Sequence, residues 1–118
     1  MPLTNKTNKK KITDKIVYCK NVFTQGTGLS FRSKESVKNT AWIFVFKRPR
    51  AVSITMMFVF FPIDLMFLDK IKKIVEIKES LKPWSFYNPK YPACYIIEVD
   101  SGVVSKTRIK IGDILEFD

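Results

Sequence analysis

The most apolar stretch of the chain, residues 51–68, sets the strongest limit on its fold. The uncharged part of this stretch, residues 51–63, is thirteen residues long. As a helix it would extend about 20 Å against a hydrocarbon core of roughly 30 Å, so we expect no membrane span. β-Branched and aromatic residues dominate the run and Pro62 interrupts it, which favours strands. We therefore predict two buried strands separated by a bend at Pro62.

Short apolar segments alternate with turn-forming residues along the rest of the chain. The predicted strands are residues 16–23, 42–46, 63–68, 74–77, 94–99 and 113–117. Residues 47–50 are predicted to connect strands, residues 69–73 to form a hairpin loop and the proline-rich residues 80–92 to form the longest loop. Residues 34–38 and 103–106 are the predicted helices. This pattern predicts a mainly β (β-rich α+β) fold, a small antiparallel barrel or sandwich of about seven short strands with one or two short helices.

The positive charge is concentrated in the first half of the chain. Residues 1–50 carry 12 basic and 2 acidic side chains, whereas residues 51–118 carry 9 of each. Within residues 1–15, five lysines face one aspartate among threonines and asparagines. This composition predicts a flexible basic tail over residues 1–15 and a single β-rich domain over residues 16–118.

The side chains available for chemistry exclude several classes of mechanism. The chain has no histidine, which excludes imidazole-based hydrolase triads. Cys19 and Cys94 are too few for a zinc site, and we expect buried thiols, with a disulfide between them as the alternative. That alternative gains weight from abundant Lys and Ile and a single Gln, a composition seen in hyperthermophile proteins. No nucleotide-binding glycine motif occurs, so no cofactor is predicted.

Two acidic residues fall among apolar neighbours in predicted strands. By alternation, Asp64 shares a face with Met66 and Leu68, and Glu98 shares a face with Cys94 and Ile96. A buried carboxylate requires a partner, and the Arg32 guanidinium is the predicted one. The alternative is that Asp64 accepts hydrogen bonds from turn amides after Pro62 and that Glu98 lies on a solvated edge.

Several short motifs occur in the order and spacing of a known family. They are GLSFR at 28–32, WIFVF at 42–46, PID at 62–64, FLD at 67–69, PW at 83–84, EVDSG at 98–102 and GD at 112–113. Over about residues 16–117 the chain resembles the domain of unknown function 192 family, found in archaea and bacteria. It departs from that family's pattern at Ser30, at Ala41-Trp42 and at residues 55–58, where the usual Lys-Asn-Thr is missing. The resemblance implies a compact, mostly antiparallel β domain and carries no assigned activity.

These observations favour a cytoplasmic ligand-binding or protein-interaction domain with a pocket at Arg32, Asp64 and Glu98, to which Asp113 and Trp84 contribute. The alternative is RNA or single-stranded nucleic-acid binding, weak and non-specific, through basic and aromatic side chains. The residues predicted for that binding are Lys9, Lys10, Lys11, Lys47, Arg48, Arg50, Trp84 and Tyr87. Enzyme activity, or a hard cation on Asp64, Glu98 and Asp113, is less favoured, and no catalytic residue is predicted.

Overall fold

The computed structural model describes residues 1–19, 38–56 and 59–118, which form ten strands and one short helix. The strands are β1 (Leu3–Asn5), β2 (Lys10–Thr13), β3 (Lys15–Cys19), β4 (Thr40–Arg50), β5 (Ile54–Thr55), β6 (Ile63–Leu68), β7 (Ile74–Leu81), β8 (Phe86–Tyr87), β9 (Ala93–Asp100) and β10 (Leu115–Glu116). The helix, α1, is Val103–Lys106. The predicted mainly β class is confirmed, and the described strands form three sheets.

A five-stranded sheet in the order β3-β4-β9-β6-β7 forms the centre of the fold. β3 and β4 are parallel, and every other neighbouring pair is antiparallel. All six residues of β6 are buried, because this strand is apolar on both sides apart from Asp64. A strand of this composition is stable only in the interior of a sheet that is covered on both faces.

Each face of the central sheet packs against its own covering layer. On the first face, Trp42, Phe67 and Ile96 pack with residues of the segment 54–61 and with Tyr87 of β8. On the second face, Ile43, Met66 and Ile97 pack with residues of the sheet β10-β1-β2 and of the α1 region. Alternation along the strands therefore assigns each side chain to one of two separate cores.

The N-terminal residues differ from the predicted flexible tail over residues 1–15. β1 pairs with both β2 and β10, and Leu3 is fully buried in the core of the second face. The lysines at positions 10 and 11 point to solvent while Thr13 is buried, so the hairpin places its charges outside. Composition alone favoured a tail because, of the three buried side chains in this segment (Leu3, Asn5 and Thr13), only Leu3 is apolar. The folded domain therefore begins near residue 3 instead of residue 16.

Three further boundaries correct the sequence-based predictions. β4 continues through residues 47–50, where its pairing with β9 becomes irregular and all four side chains are exposed, so Pro49 is tolerated. Of the predicted strand before Pro62, the described residues contain only Ile54–Thr55. β7 extends to Leu81, and the predicted loop 80–92 contains β8. The predicted hairpin loop at residues 69–73 and the predicted helix at residues 103–106 are confirmed. Most of the other predicted helix, residues 34–37, lies outside the described residues.

None of the helices in the described parts of the chain is long and apolar enough to cross a membrane.

The N-terminal hairpin gives a direct test of this fold. Replacing Leu3 by Ala should lower the free energy of unfolding by about 2–5 kcal/mol, because it leaves a cavity between β1 and the central sheet. Urea unfolding followed by circular dichroism measures the change. Lys10→Ala, an exposed substitution in the same hairpin, should leave the urea midpoint unchanged. Equal urea midpoints for Leu3→Ala and the wild type would show instead that residues 1–15 form a tail that does not contribute to the fold.

Candidate functional site

Glu98 lies in a recess on the first face of the central sheet. It occupies the interior strand β9, where Trp42 of β4 is its partner on one side and Leu65 of β6 on the other. The recess has an empty volume of about 160 Å³ with its open mouth included, and it encloses almost no free space in its interior. The described residues that line it are Thr40, Trp42, Phe61, Ile63, Glu98, Val99 and Asp100. The site thus combines two aromatic side chains with two acidic residues.

The Glu98 carboxyl is buried and has no partner among the residues that the structure describes. Its side chain is 6% exposed, and no other described residue forms a hydrogen bond or an ion pair with it. Burial raises the pKa of this carboxyl from 4.5 to about 8, because an apolar surrounding penalises the charged form. Glu98 is therefore mostly protonated at neutral pH and presents an O–H donor in a dry recess. The alternative of a solvated edge for Glu98 was wrong, because β9 is an interior strand.

Asp64 lies on the opposite face from Glu98. Asp64 pairs with Val99, the residue that follows Glu98, so alternation places the two carboxyls on different sides of the sheet. Its Oδ1 accepts a hydrogen bond from the amide of Ser80 (2.8 Å), and its Oδ2 accepts two from the amides of Gly102 and Val104 (3.0 Å each). The predicted grouping of Asp64 with Glu98 was wrong. As the alternative predicted, Asp64 accepts hydrogen bonds from backbone amides, but these belong to residues 80, 102 and 104 and not to a turn after Pro62. Arg32 lies outside the described residues.

Asp113 and Trp84 also lie away from the recess. Asp113 is buried, and its Oδ2 accepts hydrogen bonds from the Asn5 side chain (2.8 Å) and the Lys110 amide (2.9 Å), which ties β1 to the turn before β10. Trp84 is 55% exposed beside the small sheet β5-β8. Of the described residues predicted to bind a ligand, Glu98 alone lines the recess.

A further buried carboxylate, Glu76, was not predicted from the sequence. It accepts hydrogen bonds from the Tyr87 hydroxyl and from the amides of Lys90 (2.9 Å) and Tyr91 (3.2 Å). Burial and the bond to Glu76 raise the pKa of Tyr87 to about 12. The pairing of β6 with β7 shifts register between Phe67 and Leu68, and this bulge places the Glu76 side chain on the first face. Alternation of apolar and polar residues in the sequence does not reveal where a bulge occurs, so the face of Glu76 could not be predicted. Tyr87 is held by Glu76 and packs on Phe67 at 5.8 Å between ring centroids, so it is not free to stack on a base as predicted.

The predicted basic residues fall on two separate parts of the surface. Lys9, Lys10 and Lys11 belong to the hairpin that covers the second face, where Lys11 pairs with Asp14 at 2.9 Å. Lys47, Arg48 and Arg50 are exposed at the end of β4, close to the start of β9. A single footprint across all six residues is therefore excluded by the fold.

Metal and thiol chemistry receive no support from the described residues. Within them, no group of three His, Cys, Asp or Glu could hold a metal ion, and Asp64, Glu98 and Asp113 occupy three different environments. Cys19 and Cys94 are both buried and no disulfide joins them, so the predicted core cysteines are confirmed and the disulfide alternative is wrong.

The fold and the recess define a small β domain in which a central sheet is covered on both faces and the buried Glu98 carboxyl has no partner among the described residues. The chain belongs to the DUF192 family, described as Uncharacterized ACR, which it matches over residues 3–117. This match begins at β1, about thirteen residues before the resemblance seen in the sequence motifs.

Similar proteins support the same assignment. A UPF0127 protein of Pyrococcus furiosus is 32% identical over 118 residues, covering 98% of this chain and 97% of the relative. A UPF0127 protein of Thermococcus sibiricus is 33% identical, covering 98% and 74%. The crystal structure of a protein of unknown function from Novosphingobium aromaticivorans superposes with a TM-score of 0.86 at 20% identity, covering 99% of this chain and 84% of that one. That likeness shows the fold.

The Asp64 contacts predict a large effect on stability. Asp64→Ala leaves three backbone N–H groups without their acceptor and should cost roughly 3 kcal/mol or more. Asp64→Asn keeps one acceptor oxygen and should cost less. The exposed Asp14→Ala serves as the control, and urea midpoints measure all three variants. A cost below about 0.5 kcal/mol for Asp64→Ala would contradict the role assigned to this carboxylate.

The raised pKa of Glu98 predicts how stability changes with pH. The contribution of Glu98 to the free energy of unfolding is fully present below about pH 4.5, where its carboxyl is protonated in both the folded and the unfolded state. Between pH 4.5 and 8 the unfolded chain ionises and the folded protein does not, so the free energy of unfolding should fall by about 1.4 kcal/mol per pH unit. Above about pH 8 the contribution is lost and this decline should level off.

Glu98→Gln isolates this effect, because an amide keeps the size of the side chain and does not titrate. Urea unfolding from pH 4 to pH 9 should show the decline in the wild type and in the exposed control Glu79→Gln, but not in Glu98→Gln. Parallel pH profiles for the wild type and Glu98→Gln would show that Glu98 titrates normally in the folded state.

Proposed function

We propose that this domain binds a small, partly apolar molecule in the recess at Glu98. The observation that supports this proposal is that the buried Glu98 carboxyl has no partner within residues 1–19, 38–56 and 59–118, since a buried polar group without a hydrogen bond costs free energy that a ligand recovers. A protonated Glu98 donates a hydrogen bond, so the ligand presents an acceptor, such as an amide or carbonyl oxygen. The Trp42 and Phe61 side chains supply the apolar walls.

Ligand entry requires the recess to widen, and the origin of its walls indicates how this occurs. Trp42 and Glu98 lie on adjacent strands of the central sheet and are fixed by the ladder between them. Phe61 instead belongs to the irregular connection between β5 and β6. Displacement of Phe61 opens the recess without breaking the sheet.

We also propose a cytoplasmic location, since the two buried cysteines of the chain are not joined by a disulfide.

The two tryptophans of the chain allow a direct test. In ¹⁵N–¹H spectra the Trp42 indole reports on the recess and the exposed Trp84 indole reports on a remote surface. Titration with N-methylacetamide, an uncharged amide, should shift the Trp42 indole and the Glu98 amide and leave the Trp84 indole in place.

Glu98→Leu removes the donor while it keeps a side chain in the recess, and it should abolish the response to N-methylacetamide. The exposed control Glu79→Leu should respond like the wild type. An unchanged Trp42 indole in the wild type, or an equal response in Glu98→Leu, would overturn the proposal.

A further inference from the structure

The exposed aromatic side chains of the described residues all lie on the layer that covers the first face or beside it. Four aromatic rings are more than half exposed: Phe60 (61%), Trp84 (55%), Phe86 (70%) and Tyr91 (55%). The large aliphatic side chains with comparable exposure, Met1, Ile71 and Ile111, lie in other parts of the described chain. We call the four rings the aromatic surface. Their exposure has an energetic cost in a protein without a partner.

The backbone holds Trp84 outward. Trp84 has a φ of 62°, a left-handed conformation that is rare for a bulky residue. Hydrogen bonds from the Trp84 amide to the Met56 carbonyl (2.9 Å) and from the Met56 amide to the Ser85 carbonyl (2.7 Å) maintain it. The Phe60 ring then packs edge-on against the indole, with 5.5 Å between ring centroids. The indole is thus fixed in position while more than half of its surface remains open.

Cationic side chains border the same surface. Arg50 pairs with Ala93, Ser53 hydrogen-bonds Asn88 and Thr55 pairs with Phe86, so residues 50–55 run beside residues 86–93. Residues 47–60 contribute Lys47, Arg48 and Arg50, residues 82–93 contribute Lys82 and Lys90, and neither segment contains an acidic residue. The nearby Glu76 is buried and bonded to Tyr87. The two segments that carry the four rings therefore also carry five basic side chains. Neither segment contains an acidic side chain that could offset their charge.

We propose that the aromatic surface and the basic end of β4 bind single-stranded nucleic acid. Planar rings stack on unpaired bases irrespective of sequence, and flanking Lys and Arg side chains neutralise the phosphates. The large exposed apolar side chains described in these two segments are all aromatic, which matches base stacking, and the excess of Lys and Arg in the same segments matches a polyanion. The surface is separate from the Glu98 recess, and this proposal does not depend on the ligand proposed for that recess.

Binding of a fluorescein-labelled oligouridylate, followed by anisotropy, tests the stacking contribution. Trp84→Ala should weaken affinity by about 5- to 150-fold, which corresponds to the loss of one stacked base. Trp84→Phe should retain most of the affinity, and Phe86→Ala, a second exposed ring, should also weaken binding. The Trp84 indole resonance should shift on titration while that of Trp42 stays in place. Thermal midpoints near that of the wild type establish that these variants are folded.

A pair of charge-matched double variants tests the position of the phosphate contacts. Arg48→Ala with Arg50→Ala should weaken binding and reduce the slope of log affinity against log salt by about 1.4, or about 0.7 for each phosphate that is no longer neutralised. Lys10→Ala with Lys11→Ala removes the same charge from the hairpin on the second face and should leave that slope unchanged.

Three results would overturn the inference. The first is wild-type affinity in both Trp84→Ala and Phe86→Ala. The second is an equal decrease of salt dependence in the two charge-matched double variants, since that would show attraction by net charge alone. The third is binding to vesicles of phosphatidylcholine and phosphatidylserine with none to oligouridylate, which would assign the surface to a membrane.

Discussion

The carboxylate of Asp64 is the contact on which the arrangement around the central sheet depends. It joins three backbone amides from two separate places, Ser80 at the end of β7 and Gly102 and Val104 at the turn from β9 into α1. A strand that is buried on both faces can carry an ionised group only if such partners satisfy it. Asp64 has these partners. Its hydrogen bonds hold the end of β7 and the start of α1 against β6, at the end of the sheet where the chain passes into the second covering layer.

Glu98 is buried almost as deeply as Asp64, but the surroundings of the two carboxyl groups differ. Both acids lie in interior strands and both are at most 6% exposed, yet only Asp64 has hydrogen-bond partners among the described residues. The difference comes from the neighbours that each face supplies. The Asp64 carboxylate meets backbone amides at turns, whereas the Glu98 carboxyl meets side chains such as Trp42 and Phe61. Asp64 thus serves the fold, while Glu98 reduces the stability of the fold above its unfolded-state pKa and is the better candidate for binding.

Sequence reasoning predicted β6, α1 and the alternation of both acids, because periodicity and turn residues are local properties. It misjudged the relation between Asp64 and Glu98, since that depends on the pairing of Asp64 with Val99, a contact between distant parts of the chain. Glu76 was missed for a related reason, because a bulge changed the face on which it lies. The N-terminal hairpin was missed because its stability comes from Leu3 packing against strands far away in sequence. Local pattern therefore predicted most elements, while strand register determined which side chains meet.

The recess and the aromatic surface share one short segment of chain. Phe61 lines the recess and is buried, whereas the adjacent Phe60 is exposed and packs against the Trp84 indole. The two rings belong to consecutive residues that precede Pro62, so the backbone between them is short and stiff at its C-terminal end. Phe61 and Phe60 therefore turn to opposite sides of the covering layer of the first face, one into the recess and the other against the Trp84 indole. One short segment thus contributes a ring to the recess and a ring to the aromatic surface, although the two sites lie on different sides of this layer.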